Sequence, residues 1–159
     1  MLSFKREKEA NSALLNSSLF DEKTFYQIFI RDLNNCREEV IIESPFITRE
    51  RMKVFRSLFN NLLRKGVKIY IFTRDPKEHE PKMAVQSEAE IANFERIGVQ
   101  ILISQGNHHR KLAILDRKIL YEGSLNILSQ AYSREIMRRI DSKVLTLEMF
   151  NFLKLENFL

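Results

Sequence analysis

The stretch HRKLAILDRKILYEGSLN, from His109 to Asn126, decides how this chain is read. Its apolar positions predict two short strands, Lys111 to Asp116 and Ile119 to Glu122, joined by a turn at Arg117-Lys118. Side chains alternate along a strand. His109 and Lys111 therefore share one side, while Leu112, Ile114 and Asp116 face the other. The same stretch is dense in groups that can handle a phosphodiester. An imidazole can attack phosphorus or protonate a leaving oxygen. A lysine holds phosphate as a compact charge with three donors. Ser124 and Asn126 are neutral donors suited to phosphoryl oxygens, and Gly123 permits a tight turn before them.

Outward from this row, the pattern alternates strand and helix. Asp21 is placed to cap a helix through about Asn35, with Phe25, Ile28, Phe29 and Leu33 on one face. Val40 to Glu43 is apolar and β-branched, the pattern of a buried strand. Thr48 is placed to cap a helix to about Lys65, which Gly66 ends. Val67 to Thr73 is the next strand. Ser87 and Glu90 form a capping-box pattern for a helix ending at Gly98. Val99 to Ile103 and Arg134 to Ile140 are further strands, and the tail from Leu145 to Phe158 is apolar at helical spacing. The expected class is α/β, with a mixed, largely parallel sheet. The 159 residues fit one domain, 1–159, in which residues 1–19 read as an N-terminal extension or a short strand.

Composition sets bounds. A hydrophobic content of 44% suffices for a core, and a net charge of +5 is compatible with a polyanionic partner. One cysteine, Cys36, rules out an internal disulfide framework. No apolar run approaches the ~20 residues of a membrane helix. The N-terminus has no apolar core of a secretory signal, so a cytoplasmic location is expected. Glu78-His79-Glu80 is the nearest approach to a metal motif. It sits in a charged loop beside Pro81, where solvated side chains are expected. No metal or other cofactor is expected.

The spacing His-x-Lys-x4-Asp followed by Gly-Ser-x-Asn resembles the signature of the phospholipase D superfamily, the HKD phosphodiesterases. The run from about 38 to 141 fits one such domain, with Glu39 to Glu43 and Ser44-Pro45-Phe46 similar to its first core strand and exit loop. The resemblance implies helices on both faces of the sheet. It implies a catalytic His109, phosphate binding by Lys111, Ser124 and Asn126, and structural roles for Asp116 and Gly123. It also supports Glu135 as the carboxylate that orients the His109 ring.

Of the three histidines, only His109 is followed two residues later by Lys. Single-motif members of the superfamily resemble small bacterial nucleases that pair two chains. The resemblance therefore implies a homodimer whose site takes His109 and Lys111 from each subunit. The segments Leu112–Asp116, Gly123–Ser129 and Glu135–Arg139 also look like domains attached to bacterial helicases and restriction systems. The expected function is a metal-independent nuclease acting on DNA ahead of RNA through a phosphohistidine, with no membrane and with a helicase, ATPase or restriction system as the candidate partner. Two alternatives stand beside it: a non-catalytic nucleic-acid-binding module of such a complex, and a lipid phosphodiesterase.

Overall fold

The structure, a computed structural model, describes Ser12, residues 16–129 and residues 132–159. The first part of the expected extension, residues 1–11 and 13–15, lies outside them. Seven strands form one sheet in the order β1-β7-β6-β5-β2-β3-β4. They are β1 (Ser17–Asp21), β2 (Glu39–Glu43), β3 (Lys68–Arg74), β4 (Gln100–Ser104), β5 (Leu112–Leu115), β6 (Ile119–Gly123) and β7 (Ile136–Asp141). The helices are α1 (Phe25–Asn34), α2 (Arg49–Arg64), α3 (Pro81–Ile97) and α4 (Lys143–Phe152). Residues 17–19 are thus strand, paired antiparallel with β7.

The mixed α/β class holds, but the sheet is less parallel than expected. Only β2–β3 and β3–β4 run parallel. The pairs β2–β5, β5–β6, β6–β7 and β7–β1 are antiparallel. The physical reason is connection length. Crossover helices α2 and α3 leave room for parallel returns, whereas the three-residue link between β5 and β6 allows only a hairpin. Both Asp116 and Arg117 in that link have φ near +50°, the hand of turn that suits twisted strands.

The two faces of the sheet sort by alternation. Val40, Ile42, Ile69, Ile71, Ala113 and Leu115 pack under α1, α2 and α3. Ile41, Tyr70, Phe72, Leu112, Ile114 and Leu120 pack against Phe150 of α4 and Leu155 beyond it. Among the described residues, helices therefore cover both faces, α1, α2 and α3 on one and α4 on the other.

Two helix starts differ from expectation. Asp21 ends β1, and its carboxylate accepts the N–H groups of Lys23 and Thr24 at 3.0 and 2.9 Å. It builds a turn, and Thr24 takes the cap position of α1. Ser87 and Glu90 lie inside α3, which starts at Pro81. Both are buried. The Ser87 hydroxyl donates to the Ile47 carbonyl at 3.4 Å, and Glu90 faces Arg49 and Arg56 at 3.5 and 3.9 Å. Tertiary pairing, not capping, explains these two polar residues. Gly66, at φ +83°, ends α2 as expected. Among the described residues no helix is long and apolar enough to cross a membrane.

Candidate active site

Strand direction gathers the site at one edge of the sheet. The chain leaves β4, crosses the carboxyl ends of the parallel strands, and enters β5 antiparallel to β2, with Leu112 opposite Glu43. β6 ends at this edge with Gly123, and β7 begins there with Ile136 opposite Asp21. The segment before β5, the loop after β6 and the approach to β7 therefore meet where strand order reverses, a common place for a binding crevice. His109, Lys111, Ser124, Asn126 and Glu135 all line one open cleft of about 920 Å³ there. Met149, Phe152 and Leu153, at the end of α4, form its apolar wall.

His109 is exposed. The Lys111 ammonium lies 2.8 Å from its Nδ1 and donates to its carbonyl at 2.7 Å. Burial pulls the Lys111 pKa below the usual lysine range, and the Glu135 carboxylate works against that pull. Asp116 sits at the far end of β5, away from the cleft. Its carboxylate accepts the backbone N–H groups of Arg37, Glu38 and Glu39 at 2.9, 2.8 and 3.0 Å. It ties the start of β2 to the β5–β6 turn.

Gly123 is required for a different reason from the turn expected of it. Its φ is not in the left-handed region. A Cβ there would run into the Ile136 carbonyl oxygen and the Met137 side chain. The absent side chain lets β7 approach, and Ser124 N–H donates to that same carbonyl at 2.9 Å.

The structure brings Glu135 into the cleft but not onto the His109 ring. Its carboxylate accepts the hydroxyls of Ser124 and Ser133, and these bonds hold its pKa below the usual carboxylate range. Its own N–H is held by Glu22 at 3.0 Å. The position orders Ser124 and sets a negative charge near Lys111. Asn126 is half-buried, and its side-chain oxygen has no hydrogen-bond partner among the described residues.

Several contributors carry no signal in the sequence motif. Ser44 is fully buried after β2 and accepts the Leu128 N–H at 3.1 Å. Tyr26 donates to the Ile127 carbonyl at 3.0 Å, under the Arg51 guanidinium. Both fix the loop that carries Ser124 and Asn126. Glu43, also fully buried, meets Arg110 and His108 directly behind the site. Glu78 is bound rather than solvated: it accepts from Arg74 at 2.9 Å and from the N–H groups of Gly106 and Asn107 at 2.8 and 3.1 Å. His79 packs on Phe46 at 5.0 Å between ring centres. Tyr132 is exposed, Phe150 is core, and Phe152 stands largely in the open at the cleft wall. Among the described residues no group of three His, Cys, Asp or Glu side chains is arranged to hold a metal ion.

His109, Lys111, Ser124 and Asn126 thus converge on one cleft at the strand reversal of a seven-stranded sheet. The family described as "Cardiolipin synthase, PLD-like domain" matches residues 29–154, and the chain belongs to this phospholipase D-like family, whose superfamily is one of phosphodiesterases. No curated protein sequence matches it. Among solved structures it is similar to NucT from Helicobacter pylori, at 20% identity and TM-score 0.69, covering 87% of this chain and 92% of that one. It is also similar to Nuc from Salmonella typhimurium, a phospholipase D family member, at 15% identity and TM-score 0.66, with the same coverage. Polyphosphate kinase from Porphyromonas gingivalis shares the fold at 12% identity and TM-score 0.68, over 91% of this chain but 26% of that one. At these identities the likeness is one of fold.

Proposed function

We propose that the protein is a metal-independent nuclease, acting on DNA ahead of RNA in the cytoplasm, that works through a phosphohistidine on His109 in a site shared by two subunits. The observation that carries this reading is the convergence of His109, Lys111, Ser124 and Asn126 on one open cleft, with Asp116 set apart as a backbone brace.

In the first step a ring nitrogen of His109 forms a bond to phosphorus as the bond to the leaving oxygen breaks. The second subunit's His109 gives that oxygen its proton. It then takes a proton from water, which attacks the phosphohistidine and frees the ring. A phosphoryl oxygen competes with the imidazole for the Lys111 ammonium, because charge-assisted bonds to an anion are the stronger ones. Lys111, the Ser124 hydroxyl and the Asn126 amide then stabilise the extra negative charge of the transition state. Since these groups supply nucleophile, acid and charge stabilisation, the chemistry has no step that calls for a metal. Glu135 acts in this scheme by holding Ser124, not by orienting the ring. A helicase, ATPase or restriction partner would deliver the nucleic acid.

The test is incubation of the pure protein with single- and double-stranded DNA and with RNA, in EDTA, beside His109→Ala. Cleavage that persists in EDTA and vanishes in the variant supports the reading. Activity abolished by the chelator and restored by Mg²⁺ overturns it. Release of a headgroup from phospholipid vesicles without cutting of nucleic acid would instead establish the lipid phosphodiesterase. Salt-sensitive DNA binding without cleavage would establish the binding module.

A further inference from the structure

The carboxylate of Glu43 is out of place in its strand. β2 is buried along its length, and a fully buried carboxylate ends its Val40-Ile41-Ile42 run. Burying a charge costs several kcal/mol unless it is paired. Its ionic partner is Arg110, whose Nε lies 2.6 Å from Oε2. His108 Nε2 lies 3.4 Å from the same oxygen, but neither that nitrogen nor the second oxygen of Glu43 makes a hydrogen bond among the described residues. A structural ion pair would be expected to satisfy more of its polar atoms.

Arg110 is the opposite case. It is half exposed and lines the cleft together with His109 and Lys111, its neighbours in the chain. A guanidinium carries five N–H donors in a rigid planar fork. Glu43 takes the Nε donor, and Arg110 makes no other hydrogen bond among the described residues. The result is a cation fixed from behind, beside the nucleophile, with donors to spare.

We propose that Arg110, braced by Glu43, binds the phosphate next to the scissile one and so gives the site its preference for a polynucleotide over a lone phosphodiester. This rests on the nuclease reading above and names the feature of the substrate that the cleft selects. Lys111 holds the reacting phosphate. Arg110 holds its neighbour, which a polynucleotide has and a simple diester lacks. The brace restricts the arginine before binding, so less side-chain freedom is lost when the second phosphate arrives. A lysine would not serve, because its flexible ammonium cannot grip Glu43 on one side and a phosphate on the other.

The experiment compares a single-stranded oligonucleotide with bis(p-nitrophenyl) phosphate, a diester with one phosphate. Wild type, Arg110→Lys and Glu43→Gln are assayed on both, with a melting curve for each protein. Oligonucleotide affinity is also read by fluorescence anisotropy in a His109→Ala background. Both variants should raise KM and Kd for the oligonucleotide about tenfold, one charge-assisted contact, with kcat little changed and the small diester unaffected. Equal losses on the two substrates, or no loss on the oligonucleotide, overturn the proposal. A wild type that cuts only the small diester, or neither, fails the nuclease reading before the variants are compared. Should either variant melt early, the joint change Glu43→Leu with Arg110→Met removes both charges without leaving a buried carboxylate. An oligonucleotide-specific loss in that pair supports the proposal, and none overturns it.

Discussion

The Ser44 hydroxyl accepts the Leu128 N–H at 3.1 Å, and both residues are fully buried. Ser44 also donates to the Phe46 carbonyl at 3.1 Å, while Thr48 N–H donates to the Leu128 carbonyl at 2.9 Å. Two contacts thus pin the loop after β6, which carries Ser124 and Asn126, to the loop after β2. Ser44→Ala should cost about 1–3 kcal/mol, because the Leu128 N–H loses its buried acceptor. It should also lower turnover, since Asn126 would be less firmly placed. Denaturant unfolding and nuclease assays on the same preparation check both effects. Full stability with unchanged kcat would show that the bond positions nothing.

Asp116 should behave in the reverse way, with a large effect on stability and a small one on chemistry. Its carboxylate serves three backbone N–H groups, and its φ of 49° suits few side chains. Asp116→Ala should lose on the order of 2–3 kcal/mol, since the N–H groups are orphaned and alanine resists that backbone. Asp116→Asn should lose less, because asparagine tolerates the left-handed region and keeps one acceptor oxygen. Urea midpoints rank the three proteins. Single-turnover rates at low temperature, where the variants stay folded, should differ little.

These two residues mark what the sequence does and does not disclose. Asp116 was legible because it falls within a short ordered row, close along the chain to His109 and Lys111. What separates it from them is the length of β5, Leu112–Leu115, with His109 and Lys111 before one end and Asp116 past the other. Ser44 and Glu43 were not legible as site residues. They reach Leu128 and Arg110 across 84 and 67 positions of sequence, through an antiparallel β2–β5 pairing that no local pattern announces. The same limit explains Ser87 and Glu90. Their spacing is that of a capping box, yet their partners on α2 and the loop before it are fixed by helix packing. The placement of Glu135 follows suit. Its nearness to the site was readable, but its grip on Ser124 depends on how β7 approaches Gly123.

Stability should fall as pH drops from 6.5 towards 4, and His108 should account for part of that fall. Its ring is 7% exposed, and burial, with the cationic Arg110 and Lys111 nearby, pulls its pKa from 6.5 to about 4. The unfolded chain takes a proton at this site below pH 6.5, whereas the folded chain resists until about 4. The neutral ring's contribution is therefore complete above 6.5 and is lost through that window, by on the order of 2–3 kcal/mol. Glu43, whose carboxyl burial holds above its usual range, works in the opposite direction. His108→Gln removes the histidine part and leaves the Glu43 part. Melting temperatures at pH 7 and pH 5 should drop less in the variant than in wild type. A parallel drop in both would remove His108 as the cause.

The composite site predicts how activity dilutes when chains are mixed. The scheme needs one imidazole to attack and another to protonate the leaving oxygen, and only His109 of each chain stands in the cleft beside a lysine. A two-fold axis at this edge of the sheet would bring the second copy, and closed two-fold dimers are the commonest homo-oligomers. If each active site needs both His109 rings, a dimer holding one His109→Ala chain is as inactive as one holding two. Wild type and variant, unfolded together at equal amounts and refolded to scramble the subunits, should then retain about one quarter of the activity of the same total of wild type, the share of all-wild-type pairs under random pairing. Independent sites would retain about half by the same count. Light scattering at assay concentration should report a dimer throughout, so that failure to associate is not mistaken for independence. A mixture at one half, or a fully active monomer, would break the shared site. The acid would then have to come from the same chain, where His79 packs on Phe46 and His108 lies behind the cleft against Glu43.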